Sequence, residues 1–546
     1  MKRDLRALAE IEHDLLIIGG GITGACLAFD AATRGLRVAL IEKDDFGGAT
    51  SAASSKLLHG GLRYLQQLRF GKVRESARER LFFQNLAPHL VEYVPFVVPT
   101  YRGLAKSKPV LSAGMLMYET LCIGNTNLLL DKSRAVPAGR GMGVEQVLET
   151  VSGVNTDGLT GGRLFYESHM QNSERMTLAF IDGAVAHGAT VANYTEAIDF
   201  IRQDQRVCGV VARGESGESQ EIRARAVINA SGPWIRELNA SLDLDSSSGV
   251  VTGFSRGAHI VTRPLTDGHA VALPTQRPSE SVIDRGGRHV FIIPWRGHSL
   301  IGTSYAPHEG PLDDMQPTSA EIGDLIEDIN GALGPGTLTP DDVRYAFAGL
   351  YPLTADEIDP GVYQGSADYQ VVDHRTSDGV PGLFTVFGAK FTTARLLAER
   401  ALDAIVPSLS GEWSSCQTRE TALPAGEAVP APGSLQSLPG SMGHDLVAAH
   451  GAYAGRVADL AATDSRLQQE IGDGRGVWAA SVVWAVREEM AQHLADVVFR
   501  RTGLGTVGDP GTDVLRLAAV LMAKELDWDA DRTAREIAAV QERFQW

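Results

Sequence analysis

Apolar runs that end in glycine turns organise the start of the chain. Residues 15–18 (LLII) are uniformly apolar, the pattern of a short strand buried on both faces. They lead into Gly19, Gly20 and Gly21, and the small residues Gly24, Ala25, Ala28, Ala31 and Ala32 follow at helical spacing before Gly35. A second apolar run, residues 38–41 (VALI), ends in Glu42. Strand, glycine turn, helix, strand and acid in this order predict a dinucleotide-binding βαβ unit. Gly19 permits the tight turn, Gly21 lets the backbone approach a pyrophosphate, and Gly24 lets the helix lie close to the strand. The helix N-terminus offers free N–H groups to phosphates, and Glu42 is placed to accept hydrogen bonds from a ribose. An ordinary βαβ turn would explain only one of these glycines.

Further along, residues 70–86 read as an amphipathic helix whose Arg and Glu residues form a solvated face. The apolar patch 111–121 (LSAGMLMYETL) sits in a glycine-rich, irregular region. It reads as a helix packed on the core or capping a site, because it lacks the flanking basic residues of an interfacial helix. A helix at 176–187 and strands at 190–194, 207–212 and 226–230 follow, the last running into Ser231, Gly232, Pro233 and Trp234. From 249 to 353 alternating runs (GAHIVT, HVFIIPW, SLIGTSY, RYAFAGLYPL) predict a mostly antiparallel sheet, hence a second domain. Residues 383–405 return to strand, glycine turn and helix, as if the chain re-enters the first domain. A Pro-, Gly- and Ala-rich linker at 421–440 precedes a tail read as wholly helical, with Val482, Val483, Val486, Met490, Leu494, Val497 and Val498 at helical spacing and Asp513 as a helix cap.

At 546 residues the chain exceeds one core. Its net charge of −17 argues against a nucleic-acid partner. The four cysteines, Cys26, Cys122, Cys208 and Cys416, form no CxxC pair, which fits a reducing compartment and no metal site. Residues 1–14 have no apolar core of a signal peptide, and no uncharged apolar run reaches the ~18 residues of a membrane span. These features predict a cytoplasmic protein. No GxSxG elbow appears, so nucleophilic hydrolysis is not expected.

Six segments together resemble the FAD-dependent glycerol-3-phosphate dehydrogenases: GGGITGACLAFDAATRGLRVALIE, TSAASSKLLHGGLRYL, NASGPW, GAHIV, FGAKFTTAR and, in the tail, VREEMAQHLADVVFRRTGLG. HGGLRYL is the most specific of them. The resemblance implies an α/β fold of the glycine/D-amino-acid oxidase type: a Rossmann-type FAD-binding domain (1–95, 160–235 and 365–405), a mostly antiparallel β-sheet substrate domain (96–159 and 236–364), a linker (406–440) and an all-helical C-terminal cap domain (441–546). FAD would lie on Gly19, Gly21, Gly24 and Glu42. It would also meet Thr50, Ser51, Ser54, Ser55, Lys56, Leu58, Gly60, Gly232, Gly388, Lys390, Phe391 and Thr392. The reaction implied is oxidation of the secondary alcohol of glycerol 3-phosphate or a relative, with hydride passing to flavin N5 and the electrons onward to a quinone, oxygen or another acceptor. The implied proton acceptor is His59 or His259, with Lys390 polarising the reacting oxygen. Arg63, Tyr64, Arg256, Tyr305 and Tyr351 would face the substrate. The resemblance admits a homodimer and peripheral contact at the inner face of a membrane.

The departures from the family pattern bear on the substrate. Tyr351 stands in GLYPL where the family has an arginine that binds the substrate phosphate, Tyr305 stands for an acid, Arg256 for a lysine, and residues 172–175 (NSER) for DDAR. Loss of a guanidinium removes a charge-assisted bond worth about 1.5–3 kcal/mol. The alternatives are a less charged alcohol, an amine or amino acid on the same fold, or a flavin-binding module without turnover.

Overall fold

The apolar run after residue 14 becomes the middle of a parallel sheet. His13–Ile18, buried throughout, pairs in parallel with Val38–Ile41 on one side and Ser219–Asn229 on the other. Thr190–Ala192 and Leu383–Phe387 extend these pairs in parallel, and Gln370–Asp373 adds an antiparallel edge. The helices Ile22–Thr33, Ser173–Ala186 and Ala394–Ile405 cover one face with a continuous apolar core. The structure, a computed structural model, describes residues 1–66, 68–102, 108–242, 244, 253–275, 289–353, 369–388, 390–431, 433–435, 438–472 and 474–546.

A second, ten-stranded sheet is antiparallel apart from the parallel pair Ala270–Pro274 with Val91–Tyr101. Its strands have two different faces. Val97, Leu164, Ile260, Val271, Ile292 and Ala346 point into a core covered by the helix Ser319–Leu333. Their neighbours Val98, Phe165, His259, Ala272 and Phe291, with Tyr351 further along the last strand, line a cavity. In the middle of these strands a period of two thus separates support from function.

Several expectations are corrected. Leu57–Leu58, Val91–Tyr101 and Leu159–Met170 all belong to the second sheet, so it takes residues 91–95 and 160–170 from the first domain. The helix expected at 176–187 starts at Ser173, because the Asn172 side chain accepts from Arg175 N and caps it. The strand expected at 190–194 ends at Ala192. In the helix Phe70–Leu86, Glu79 and Arg80 are buried rather than solvated: Glu79 pairs with Arg395 at 2.7 Å and Arg80 with Glu167 at 2.9 Å. The patch 111–121 is a helix (Lys108–Leu121) that buries Met115 and Tyr118.

Residues 406–440 are no slack linker. Leu409, Leu423 and Ala425 are buried, and Thr418 accepts from Arg395 at 3.0 Å. The tail is mainly helical but includes the hairpin Glu470–Ile471 with Val477–Trp478. Its apolar spacing is split between Ala479–Glu488 and Asp496–Arg501, because the backbone turns left-handed at Met490. Gly511, not Asp513, occupies the cap of Thr512–Leu526. Among the described residues no helix is long and apolar enough to cross a membrane.

Candidate active site

A cavity of about 1090 Å³ runs from the glycine turn of the parallel sheet to the functional face of the second sheet. At its first end the backbone does the shaping. A Cβ at Gly24 would stand 1.8 Å from the Gly19 carbonyl oxygen, so only glycine lets the helix approach the strand this closely. Gly21 is the N-cap of Ile22–Thr33, and Ser51 Oγ accepts from Ile22 N at 2.9 Å. That leaves the remaining first-turn N–H groups for a ligand. Glu42 accepts from Gly20 N at 2.6 Å and Asp44 N at 2.9 Å. Burial raises its carboxyl to about 7, against the pull of these two bonds.

The loop after Glu42 is held from the far end of the chain. Asp45 is buried and accepts from Arg501 at 2.6 and 2.7 Å, and from Arg500. Against the burial that would raise it, Arg501 and Arg500 hold the Asp45 carboxyl well below the usual carboxylate range. Arg175 and Glu489 make a second buried pair between the same two domains, at 2.8 Å.

The middle of the cavity is walled by Thr50, Ser51, Ser54 and Ser55 on one side and by Gly232 and Trp234 on the other. Thr50 Oγ1 donates to Leu350 O at 2.8 Å and ties the two sheets together there. Beyond lie Gly388, Lys390, Phe391 and Thr392, just ahead of the helix Ala394–Ile405, whose positive end is therefore near the wall.

At the second end side chains converge. His259 Nε2 is 2.9 Å from Ser55 Oγ, and its ring stacks on Phe347 with centroids 5.2 Å apart. Its Nδ1 is buried with no hydrogen-bonding partner among the described residues. Burial, with a smaller push from Lys56, takes the imidazole down to about 3, so it is neutral at ordinary pH. His59 is held by its backbone N–H, which donates to Thr392 Oγ1 at 3.2 Å, and its ring lies 6.1 Å from Tyr64. Lys390 Nζ stands 4.0 Å from the centre of the Tyr64 ring. Tyr305 and Tyr351 meet edge to face at 6.2 Å.

Most sequence-selected residues therefore line this cavity: Gly19, Gly21, Glu42, Thr50, Ser51, Ser54, Ser55, His59, Tyr64, Gly232, His259, Tyr305, Tyr351, Gly388, Lys390, Phe391 and Thr392. Five do not. Gly24 acts through packing alone. Lys56 turns away into a buried pair with Glu174. Leu58 faces the core while Leu57 faces the cavity. Gly60 offers its N–H to Glu167 at 2.6 Å. Arg256 pairs with Glu321 at 2.9 Å, one position out of phase with the wall residue Gly257. Arg63 lies in the helix Leu62–Gln66, and its side chain is outside the described residues.

Sequence reasoning missed Asp45, Glu167, Phe291 and Thr303, all of which line the cavity. Their parity in alternating strands was the available signal for Glu167 and Phe291. The site fits a dinucleotide extending into a reaction chamber: nothing lies within 4 Å of where a Cβ of Gly232 would stand, and Trp234 Nε1 and His259 Nδ1 are buried on the wall without partners among the described residues.

Comparison with known proteins agrees. Residues 14–404 match the family described as FAD dependent oxidoreductase, and residues 416–533 match the C-terminal domain of alpha-glycerophosphate oxidase. Glycerol-3-phosphate dehydrogenase 1 of Mycobacterium tuberculosis is 37% identical over 530 residues, 95% of this chain and 97% of that protein. Glycerol-3-phosphate dehydrogenase of Synechocystis is 31% identical over 560 residues, 99% and 98% of the two chains. The structure of the glycerol-3-phosphate dehydrogenase from Bacillus halodurans complexed with FAD superposes with a TM-score of 0.74 at 25% identity, covering 99% of this chain and 96% of that one.

Proposed function

The chain belongs to the family of FAD-dependent oxidoreductases that includes these glycerol-3-phosphate dehydrogenases, and on that premise we propose that it oxidises the secondary alcohol of glycerol 3-phosphate, or of a close polyol phosphate, to the ketone. One observation carries the reading: a single cavity joins the dinucleotide turn to His59, His259 and Lys390. FAD, when bound, supplies the acceptor for the hydride that leaves the carbinol carbon.

The chain's own residues do the rest. Gly19, Gly21 and the first turn of Ile22–Thr33 hold the pyrophosphate, and Glu42 accepts from the ribose. The alcohol proton must leave as the hydride leaves, and the histidine pair is the place for it. His259 is neutral at ordinary pH, so one ring nitrogen is unprotonated and can take up a proton. Lys390 polarises the oxygen and, with Arg63, answers the negative charge of the substrate. Phe96, Phe165 and Phe291 on the same wall keep water from the chamber.

A second reading, a less charged substrate, is favoured by Tyr305 and Tyr351 on the wall, since a phenol donates one hydrogen bond but carries no charge. Anaerobic titration of the purified flavoprotein with glycerol 3-phosphate, glycerol and simple amines separates the readings. Bleaching of the flavin by glycerol 3-phosphate at the lowest concentration supports the first. Bleaching by glycerol alone supports the second, and bleaching by amines alone overturns both.

The helix over 111–121 buries Met115 and Tyr118 as a core-packed helix should, yet exposes Leu116 and Met117; with Ile123 and Leu130 these are 45–79% exposed, and for the acceptor side we assign to them peripheral contact with a lipid surface. Wild-type protein should sediment with lipid vesicles and Ile123→Asp should not; equal behaviour of the two removes the assignment.

A further inference from the structure

A lysine that touches no cavity stands directly behind the reaction chamber. Lys56 is 1% exposed, and its Nζ donates to Ala52 O at 2.7 Å, Ser173 Oγ at 3.0 Å and Glu174 Oε1 at 2.7 Å. Three protons meet three acceptors. The residue is left-handed, with φ +57°, a conformation that non-glycine residues rarely adopt without being held. It is held on both sides: Lys56 N donates to Ser54 Oγ at 3.2 Å, and Lys56 O accepts from Met170 N at 2.7 Å. One residue earlier, Ser55 Oγ meets His259 Nε2. The ring of Phe347, on which His259 stacks, also lies 5.6 Å from Lys56 Nζ.

We propose that the Lys56–Glu174 pair is a positioning device for His259: it pins the left-handed turn that sets Ser55 Oγ against Nε2, and so fixes the imidazole beside the reaction chamber. The inference rests on the reading of His259 as a proton acceptor. Neither Lys56 nor Glu174 lines the cavity. The charged and titratable groups around the imidazole are Lys56 and, behind it, Glu174, Arg296 and His169, with His59 and Lys390 on the shared wall. Lys56 also adds to burial in keeping the ring neutral.

The test is the double variant Lys56→Met/Glu174→Gln, which strands no buried charge, beside Ser55→Ala. With FAD bound, reduction by glycerol 3-phosphate should slow by about tenfold or more in each. In the double variant alone the acid limb of the rate profile should move to higher pH, because the imidazole regains proton affinity. The histidine NMR titration, with His259 assigned through His259→Gln, should move the same way. An unmoved rate and profile overturns the proposal, and so does a slower rate with an unmoved limb and resonance. If the double variant does not fold, unchanged reduction in Ser55→Ala overturns it. Failure of wild-type flavin to bleach with glycerol 3-phosphate is a failure of the substrate reading instead, and the NMR titration still decides this one.

Discussion

The two ends of the cavity are built in different ways. The nucleotide end is made of backbone from one short stretch, in which Gly19, Gly21 and Gly24 shape a turn and Glu42 accepts two N–H groups. The substrate end is made of side chains brought together from residues 55 to 392 by a sheet and two turns. A ligand gripped by backbone leaves its mark locally in the sequence, whereas one gripped by side chains leaves it as parity in distant strands.

The largest expected effect tests the backbone end. Gly24→Val places side-chain atoms where the Gly19 carbonyl already stands, so the variant should purify without flavin absorbance. A yellow Gly24→Val protein would break the contrast. Asp45→Asn tests a remote contact that holds the loop after Glu42. It takes the carboxylate partner from the buried Arg501, while Arg500 keeps Asp496, and denaturant unfolding should show a loss of about 3–5 kcal/mol.

Tyr351→Arg addresses the substrate end by itself. A guanidinium there should tighten glycerol 3-phosphate by about 1.5–3 kcal/mol, roughly ten- to a hundredfold in apparent affinity, with FAD content unchanged. A weaker or equal affinity would mean that Tyr351 does not meet the phosphate.

The smallest effect is a difference of sign. His259 folds with its proton affinity lowered to about 3, below the ordinary 6.5 of the unfolded chain. Its stabilising share is present above pH 6.5 and is lost as pH falls toward 3. Glu42 folds with its affinity raised to about 7, so its share is present below about 4.5 and is lost as pH rises through 7. Between pH 7.5 and 5, His259→Gln should therefore lose less stability on acidification than wild type, and Glu42→Gln should lose more. Each difference should be about 1–2 kcal/mol by denaturation at the two pH values.

What the sequence makes legible follows the same division. The βαβ unit is readable because turn, helix and acid are neighbours, and its second strand, Val38–Ile41, begins and ends where the apolar run does. Glu79 is misread as solvated because its partner Arg395 is 316 residues away. Lys56 is misread as a cofactor contact because its motif carries no sign of which way a left-handed residue points. Arg256 is misread by one position, and in a strand one position is the opposite face. Tyr305 and Tyr351 are legible as departures, and the structure seats them edge to face on one wall.

The clamp on Asp45 carries a consequence for biosynthesis. Its guanidinium partner Arg501 follows it by 456 residues, an interval of roughly 20–90 s at ordinary translation speeds. Throughout that interval the loop below Glu42 holds a carboxylate with nothing to neutralise it. The loop is thus clamped only once Arg500 and Arg501 have emerged, and on a ribosome stalled before them it should be cut by protease faster than in the released protein.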